Sequence, residues 1–206
     1  MGLPLYLAGL GLEIHSIPRP ALLMLDRFQP PPPGVLPVIT DCQPLTEEAV
    51  DRLCHWAEHW ERTVLDFEGP PTPAALELLR RLPCPAAAPP GYAETGPVFL
   101  PPAPLHVPLE EYLAPWKSRE IWLEAALQQQ TVTVTESGAV FSPAAPAQRK
   151  DGFECPELCC RFTQEIREDR VVFTLFDTRE TLKDKLALAG ELGVTAALGL
   201  YRELGR

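Results

Sequence analysis

Apolar residues along this chain cluster in short runs separated by proline and glycine. Leu3 to Leu10 is one such run, Ala21 to Leu25 a second and Val35 to Ile39 a third, with Pro30 to Pro33 between the last two. Runs this short and this continuously apolar predict strands buried on both faces, as in a parallel sheet. Pro37 is an exception inside the third run, because proline removes a ladder donor. From Thr46 to Trp60 the period changes. At 100° per residue Val50, Leu53, Ala57 and Trp60 share one face, while Glu48, Arg52, His55 and His59 share the opposite one. That predicts an amphipathic helix with Thr46 as its N-cap and Glu47 and Glu48 suited to its dipole. Arg62 to Glu68 then reads as a strand, Thr72 to Leu82 as a second helix and Cys84 to Ala88 as a further short strand. The order βαβαβ predicts right-handed crossovers within a parallel sheet.

The second half begins differently. Gly96 to Pro108 is rich in proline, and Leu109 to Trp116 has room for a short helix only. Glu120 to Leu127 and Thr131 to Val140 are extended runs, and the alternation in TVTVTESGAVF predicts a hairpin or edge ribbon. Residues 143–157 read as loop. Arg161 to Phe176 predicts another strand pair turning at Glu168 and Asp169. The α/β pattern then returns, with a helix from Thr181 to Leu192, a break at Gly193 and a strand from Val194 to Leu200.

Composition narrows the function classes. The 206 residues are 46% hydrophobic and 22% charged, which predicts a globular chain able to bury a sizeable core. Its 18 Lys and Arg against 28 Asp and Glu leave a formal charge of −10. That balance disfavours nucleic acid or an anionic membrane surface as main partner. The apolar N-terminus lacks a charged leader region and is cut by Pro4, so it does not read as a signal peptide. Six cysteines in such a chain are expected as reduced thiols in a cytoplasm.

The acids carry the candidate chemistry. Four apolar runs finish on a carboxylate: Asp26, Asp41, the pair Asp66 and Glu68, and Asp177. The C-terminal ends of parallel strands are where open α/β and barrel proteins keep their sites. Taken singly, Asp26 or Asp41 also reads as a residue that solvates a loop or caps a helix. Asp66 and Glu68 lie two apart on one strand and so point to one face, with Phe67 on the other. Two carboxylates that close repel when both are ionised, which raises one and makes it a candidate general acid.

The segment ERTVLDFEGP, leading into a helix, resembles the fourth-strand motif D-x-x-D-x-D-x-E of chitinase-like glycoside hydrolase family 18. Glu68 falls on the family's catalytic acid, Asp66 on the Asp beside it, Glu61 on the first Asp, and Val64 replaces the second. The stretch FDTRETLKDKLALAGELGVTAALGL is similar to the family's spore-lysin-like branch through Phe176, Asp177, Thr181 and Lys185. The likeness covers about 35–82 and 170–200. It implies one α/β domain over 1–206, a reduced or incomplete (β/α)8 TIM-type barrel with a β-rich hairpin insertion at about 118–170. It also implies acid catalysis by Glu68 and Asp66 assisted by the substrate's own N-acetyl group, on a carbohydrate partner containing N-acetylglucosamine and without a cofactor. Asp26, Asp41, Asp177 and, for the acetamido group, Tyr92 are the candidate substrate-binding residues. Three departures stand out. Val38 to Gln43 lacks the family's S-x-G-G, no Met-x-Tyr follows, and Ala197 falls where an aromatic would floor the sugar site. They leave a catalytically weak barrel, serving as a glycan-binding or interaction module, as the alternative.

Three further patterns carry more than one reading. His55-Trp-Ala-Glu-His59 matches the inverted zinc-protease motif H-x-x-E-H, but its face lies opposite the apolar stripe, which places both imidazoles in solvent. Cys155, Cys159 and Cys160 lack zinc-site spacing and read as neutral thiols. Trp116 and Trp122 read either as sugar-stacking platforms or as apolar filling.

Overall fold

The computed structural model describes residues 2–18, 21–25, 30–92, 94–144 and 151–205. Eight parallel strands follow one another in chain order around a closed sheet: β1 Leu5–Leu10, β2 Ala21–Leu25, β3 Leu36–Thr40, β4 Thr63–Asp66, β5 Ala86–Ala87, β6 Val98–Leu100, β7 Ile121–Ala125 and β13 Val194–Leu200. β13 pairs with β1, so the last strand returns to the first. The remaining seam closes at one bridge, where Ala88 N–H donates to the Pro97 carbonyl at 3.3 Å and Phe99 N–H to the Ala88 carbonyl at 2.8 Å. This is the strand order of a (β/α)8 barrel.

The outer helices are reduced, as the sequence spacing predicts. Among the described residues only a 3-10 turn, Gly11–Ser16, joins β1 to β2, and the link from β5 to β6 holds no helix. The full-length helices are α1 Glu47–Ala57, α2 Pro73–Arg81 and α4 Arg179–Glu191, with the short α3 Leu109–Leu113 and α5 Tyr201–Leu204. Thr46 and Thr72 cap α1 and α2, each hydroxyl accepting from a backbone N–H three residues on at 3.2 Å. Val50 and Leu53 pack the predicted stripe against Ile39, Leu65 and Leu78, and Ala57 of the same stripe is also buried. Each fully buried Val or Leu there is worth about 1.5–3 kcal/mol. Pro37 sits in the interior of the sheet between β2 and β4, and its carbonyl accepts from Thr63 Oγ1 at 3.1 Å.

Side-chain alternation divides the barrel strands in two. Ala8, Leu22, Val38, Val64, Ala87, Phe99, Trp122, Ala196 and Leu198 fill the interior. Their neighbours Ile39, Leu65, Leu123 and Ala197 face the helices and flanking loops. Between β7 and α4 stands a second, antiparallel sheet of five strands: β8 Gln129–Thr135, β9 Gly138–Ala144, β10 Phe153–Cys155, β11 Cys160–Ile166 and β12 Val171–Phe176. The predicted hairpin is β8–β9, with Thr133 opposite Val140. Glu120 to Leu127, an extended run expected inside the β-rich insertion at about 118–170, instead supplies the seventh barrel strand. Val98–Leu100 is a barrel strand inside the proline-rich stretch. The second sheet rests on the loop after β6, through Leu105 packed against Val132 and Leu175, and through His106 Nδ1 at 2.8 Å from Gln130 Oε1. Among the described residues no helix is long and apolar enough to cross a membrane.

Candidate active site

The alternation that packs Val64 inward sends Asp66, the last residue of β4, into the C-terminal mouth of the barrel. Burial pushes its carboxyl above the usual aspartate range, and Glu68 and Asp41 raise it further. Glu68 follows on the exposed side of the same mouth. Its position is set by the backbone. The Asp41 carboxylate, just beyond β3, accepts the Glu68 N–H at 3.0 Å and the Gly69 N–H at 3.1 Å through one oxygen. From the other side the Tyr92 hydroxyl donates to the Gly69 carbonyl at 2.9 Å, and its ring meets Phe67 edge-on at 5.5 Å. Phe67 is buried among residues of α1 and α2. The Glu68 turn is therefore clamped at both faces and anchored in the core between them.

The structure thus distributes the predicted site residues unevenly. Asp66, Glu68 and Asp41 come together. Tyr92 reaches the same turn, but its hydroxyl is spent on a backbone carbonyl, and Asp41 is likewise engaged by two amides. Both hold the loop, where the sequence suggested contact with substrate. Asp26 lies outside the described residues. Asp177 is engaged by partners of its own. It directly follows β12, an antiparallel strand of the second sheet, and its carboxylate is fully buried, accepting from Lys185 Nζ at 2.8 Å and from Gln128 N–H at 3.2 Å. Burial pushes Asp177 up while Lys185 pulls it down. The resemblance in this stretch is accounted for by structure: Asp177 pairs with Lys185, and Thr178 and Thr181 form a reciprocal cap for α4 at 3.2 and 2.8 Å.

For Trp122 the structure selects the second of its two readings, apolar filling. Its ring lies inside the barrel at the N-terminal end, stacked on Tyr6 at 5.3 Å, away from any sugar-binding position at the mouth. Ala197 faces α4 and packs on Leu182, so it does not stand where a sugar floor would be. Its inward neighbours are Ala196 and Leu198. The helix carrying His55 ends at Ala57, and His59 lies in the turn beyond it. Both imidazoles are exposed, His55 3.8 Å from Glu58. Cys155 is paired opposite Cys160 at the start of β11, and burial pushes the Cys160 thiol up to about 12.

One residue at the mouth escaped the sequence reading. Glu124 on β7 follows Trp122 in the inward series. Burial, then the nearby charges of Asp66, Glu203 and Glu68, push its carboxyl up to about 7. The signal was present: a doubly buried strand should be continuously apolar, and Ile121-Trp-Leu-Glu-Ala125 is broken by a single acid. Glu203, on α5, accepts the Leu127 N–H just past β7 and completes the acidic group.

No protein-family model and no curated protein matches this sequence. Among solved structures, the chain is similar to the spore cortex-lytic enzyme SleL of Bacillus cereus, at 11% identity and a TM-score of 0.45, over 96% of this chain and 70% of that one. SleL of Bacillus megaterium is similar over the same shares, at 11% identity and a TM-score of 0.40. The strand order alone establishes the barrel, with Asp66, Glu68 and Glu124 gathered at its C-terminal mouth.

Proposed function

We propose that the chain is a glycoside hydrolase of the chitinase-like type, acting on glycans that contain N-acetylglucosamine by substrate-assisted acid catalysis. The observation that carries this reading is the Asp66–Glu68 pair at the C-terminal end of the fourth strand of a closed parallel barrel, with the Glu68 turn clamped by Asp41 and Tyr92. In this reading the acetamido oxygen of the bound sugar attacks the anomeric carbon as the glycosidic C–O bond breaks. Glu68 gives its proton to the departing oxygen. Asp66 opposes the positive charge that develops on the oxazolinium ion, and it does so from inside a water-poor barrel, where that interaction is strong. Water then opens the oxazolinium ion and returns a proton to Glu68.

A second reading is favoured by two specific features. The Tyr92 hydroxyl is committed to Gly69, and the inward positions of β13 are Ala196 and Leu198, with no aromatic beneath the sugar. A barrel that binds such glycans with little or no turnover fits both. The test is hydrolysis and binding of a chitin-type oligosaccharide. Glu68→Gln keeps shape and removes the transferable proton, so turnover is expected to fall by about 10²–10⁴ while binding survives. Asp66→Asn is expected to slow turnover as well. Wild-type binding without hydrolysis selects the second reading, and neither binding nor hydrolysis overturns both.

A further inference from the structure

Glu124 has no part in the chemistry just described, yet it shares the inward-facing ring that holds Asp66. Its strand neighbours face in opposite directions: Trp122 fills the barrel interior, while Leu123 and Ala125 pack against the outer elements. Strict alternation therefore aims Glu124 at the space over the interior, across the barrel from Asp66. The groups whose charges act on it are Asp66 and Glu68 from β4 and the turn after it and Glu203 from α5; Tyr112 of α3 packs on the outer face with Leu123, and its hydroxyl donates to the Pro101 carbonyl at 2.8 Å. The charged ones are acids. A carboxyl in such company is held in its protonated form until about neutral pH, and a protonated carboxyl carries an O–H to donate.

We propose that Glu124 is the hydrogen-bond donor to the substrate's acetamido oxygen, the role that Tyr92 cannot fill. This rests on the glycosidase-like reading of the Asp66–Glu68 site. A sugar seated with its acetamido group against Asp66 places that group within the ring to which Glu124 belongs. The neutral carboxyl then meets the carbonyl oxygen and fixes it for attack on the anomeric carbon. An ionised carboxylate there would instead repel the same oxygen. Glu124 is thus a substrate-contacting group whose ionisation sets an upper pH limit on recognition of the acetamido group.

The test measures binding of an N-acetylglucosamine tetrasaccharide by calorimetry from pH 5.5 to 8.5, with Glu68→Gln as the parent so that no turnover intervenes. Losing one such hydrogen bond is worth about fivefold to tenfold in Kd, so the parent's affinity is expected to fall by that factor across neutral pH. Adding Glu124→Gln supplies an N–H donor that does not titrate, and the affinity is expected to stay flat. Adding Glu124→Leu is expected to leave it weak throughout. The de-N-acetylated tetrasaccharide lacks the acceptor and is expected to show no such loss with rising pH. A pH profile unchanged by Glu124→Gln overturns the donor role while the glycan reading stands. Absence of binding by the parent and by wild type overturns the glycan reading and the donor role with it. Independently of any ligand or variant stability, carboxyl ¹³C NMR of the wild-type chain must show a glutamate titrating near neutrality that Glu124→Gln removes. Titration of Glu124 in the ordinary glutamate range overturns the proposal outright.

Discussion

Glu120 and Glu124 lie four residues apart on β7 and its leading edge, one at each end of the barrel, and their surroundings differ in kind. At the N-terminal end Glu120 is paired with the Arg62 guanidinium and accepts the Trp122 indole N–H at 3.0 Å. Burial alone would raise its carboxyl, but these partners hold it below the usual glutamate range. Arg62 also lies 5.2 Å over the Trp122 ring, which stacks in turn on Tyr6. This end is a plug in which each charge found its partner during folding. At the C-terminal end Glu124 meets other acids and is pushed up to about 7. A compensated, partly buried charge reports on structure, while a group of like charges at a strand terminus costs stability, as candidate chemical sites do.

The largest expected effect comes from pulling the plug. Trp122→Ala removes a buried indole on which Tyr6 and Arg62 both rest, and a loss of about 3–5 kcal/mol is expected in denaturant unfolding at fixed pH. A loss below about 1 kcal/mol would mean that the interior is not packed on this ring.

At the other end the sign reverses. Glu124 binds its proton more tightly in the folded chain than unfolded. Stability from this group is therefore full below the ordinary glutamate range and is lost as pH rises toward about 7. The difference from an unperturbed glutamate bounds the effect at about 3 kcal/mol, shared with the coupled acids. Glu124→Gln is expected to stabilise the chain at pH 8 and to do nothing at pH 4. Parallel melting curves for wild type and variant across that range would refute the view that this end is strained by charge.

What the sequence made legible follows the same division. The strands from β1 to β5 and the helices α1, α2 and α4 were readable because continuous apolar runs and a 3.6-residue stripe are imposed by burial, which is local in sequence. The Asp66–Glu68 pair was readable for the same reason, as two acids ending one such run. β6 was hidden because its three residues, Val98–Leu100, sit among prolines that dominate any local reading. β7 was placed in the β-rich insertion because nothing local distinguishes a strand that pairs with residues 194–199 from one that pairs with the next hairpin. Misplacing β7 also concealed Glu124, whose meaning depends on the ring it joins. Asp177 shows the converse. Its position after a strand resembles that of the site acids, but the strand is antiparallel and a lysine eight residues on neutralises it. The roles of Asp41 and Tyr92 as clamps arise from contacts across 28 and 23 residues, which no spacing rule conveys.

The smallest effect is the one that bears most directly on the contrast between the two ends. Arg62→Ala leaves every strand intact and removes the cation that separates Glu120 from the situation of Glu124. Both side chains of this pair are about one-third exposed, so the cost in stability is discounted toward that of a surface pair, about 1 kcal/mol. Its pH dependence is more telling than its size. Glu120 is held low in the folded chain, so its contribution is present above the ordinary glutamate range and lost as pH falls through its folded value. Without Arg62 that dependence is expected to weaken or invert, because burial then acts against only the hydrogen bonds from Trp122 and Thr195. A carboxyl ¹³C titration of the variant should show the Glu120 signal moving up while that of Glu124 stays in place, at the other end of the strand from the change. Were Glu120 to stay low without its arginine, pairing would not be what distinguishes the two ends, and burial geometry alone would have to account for the neutral acid at the mouth.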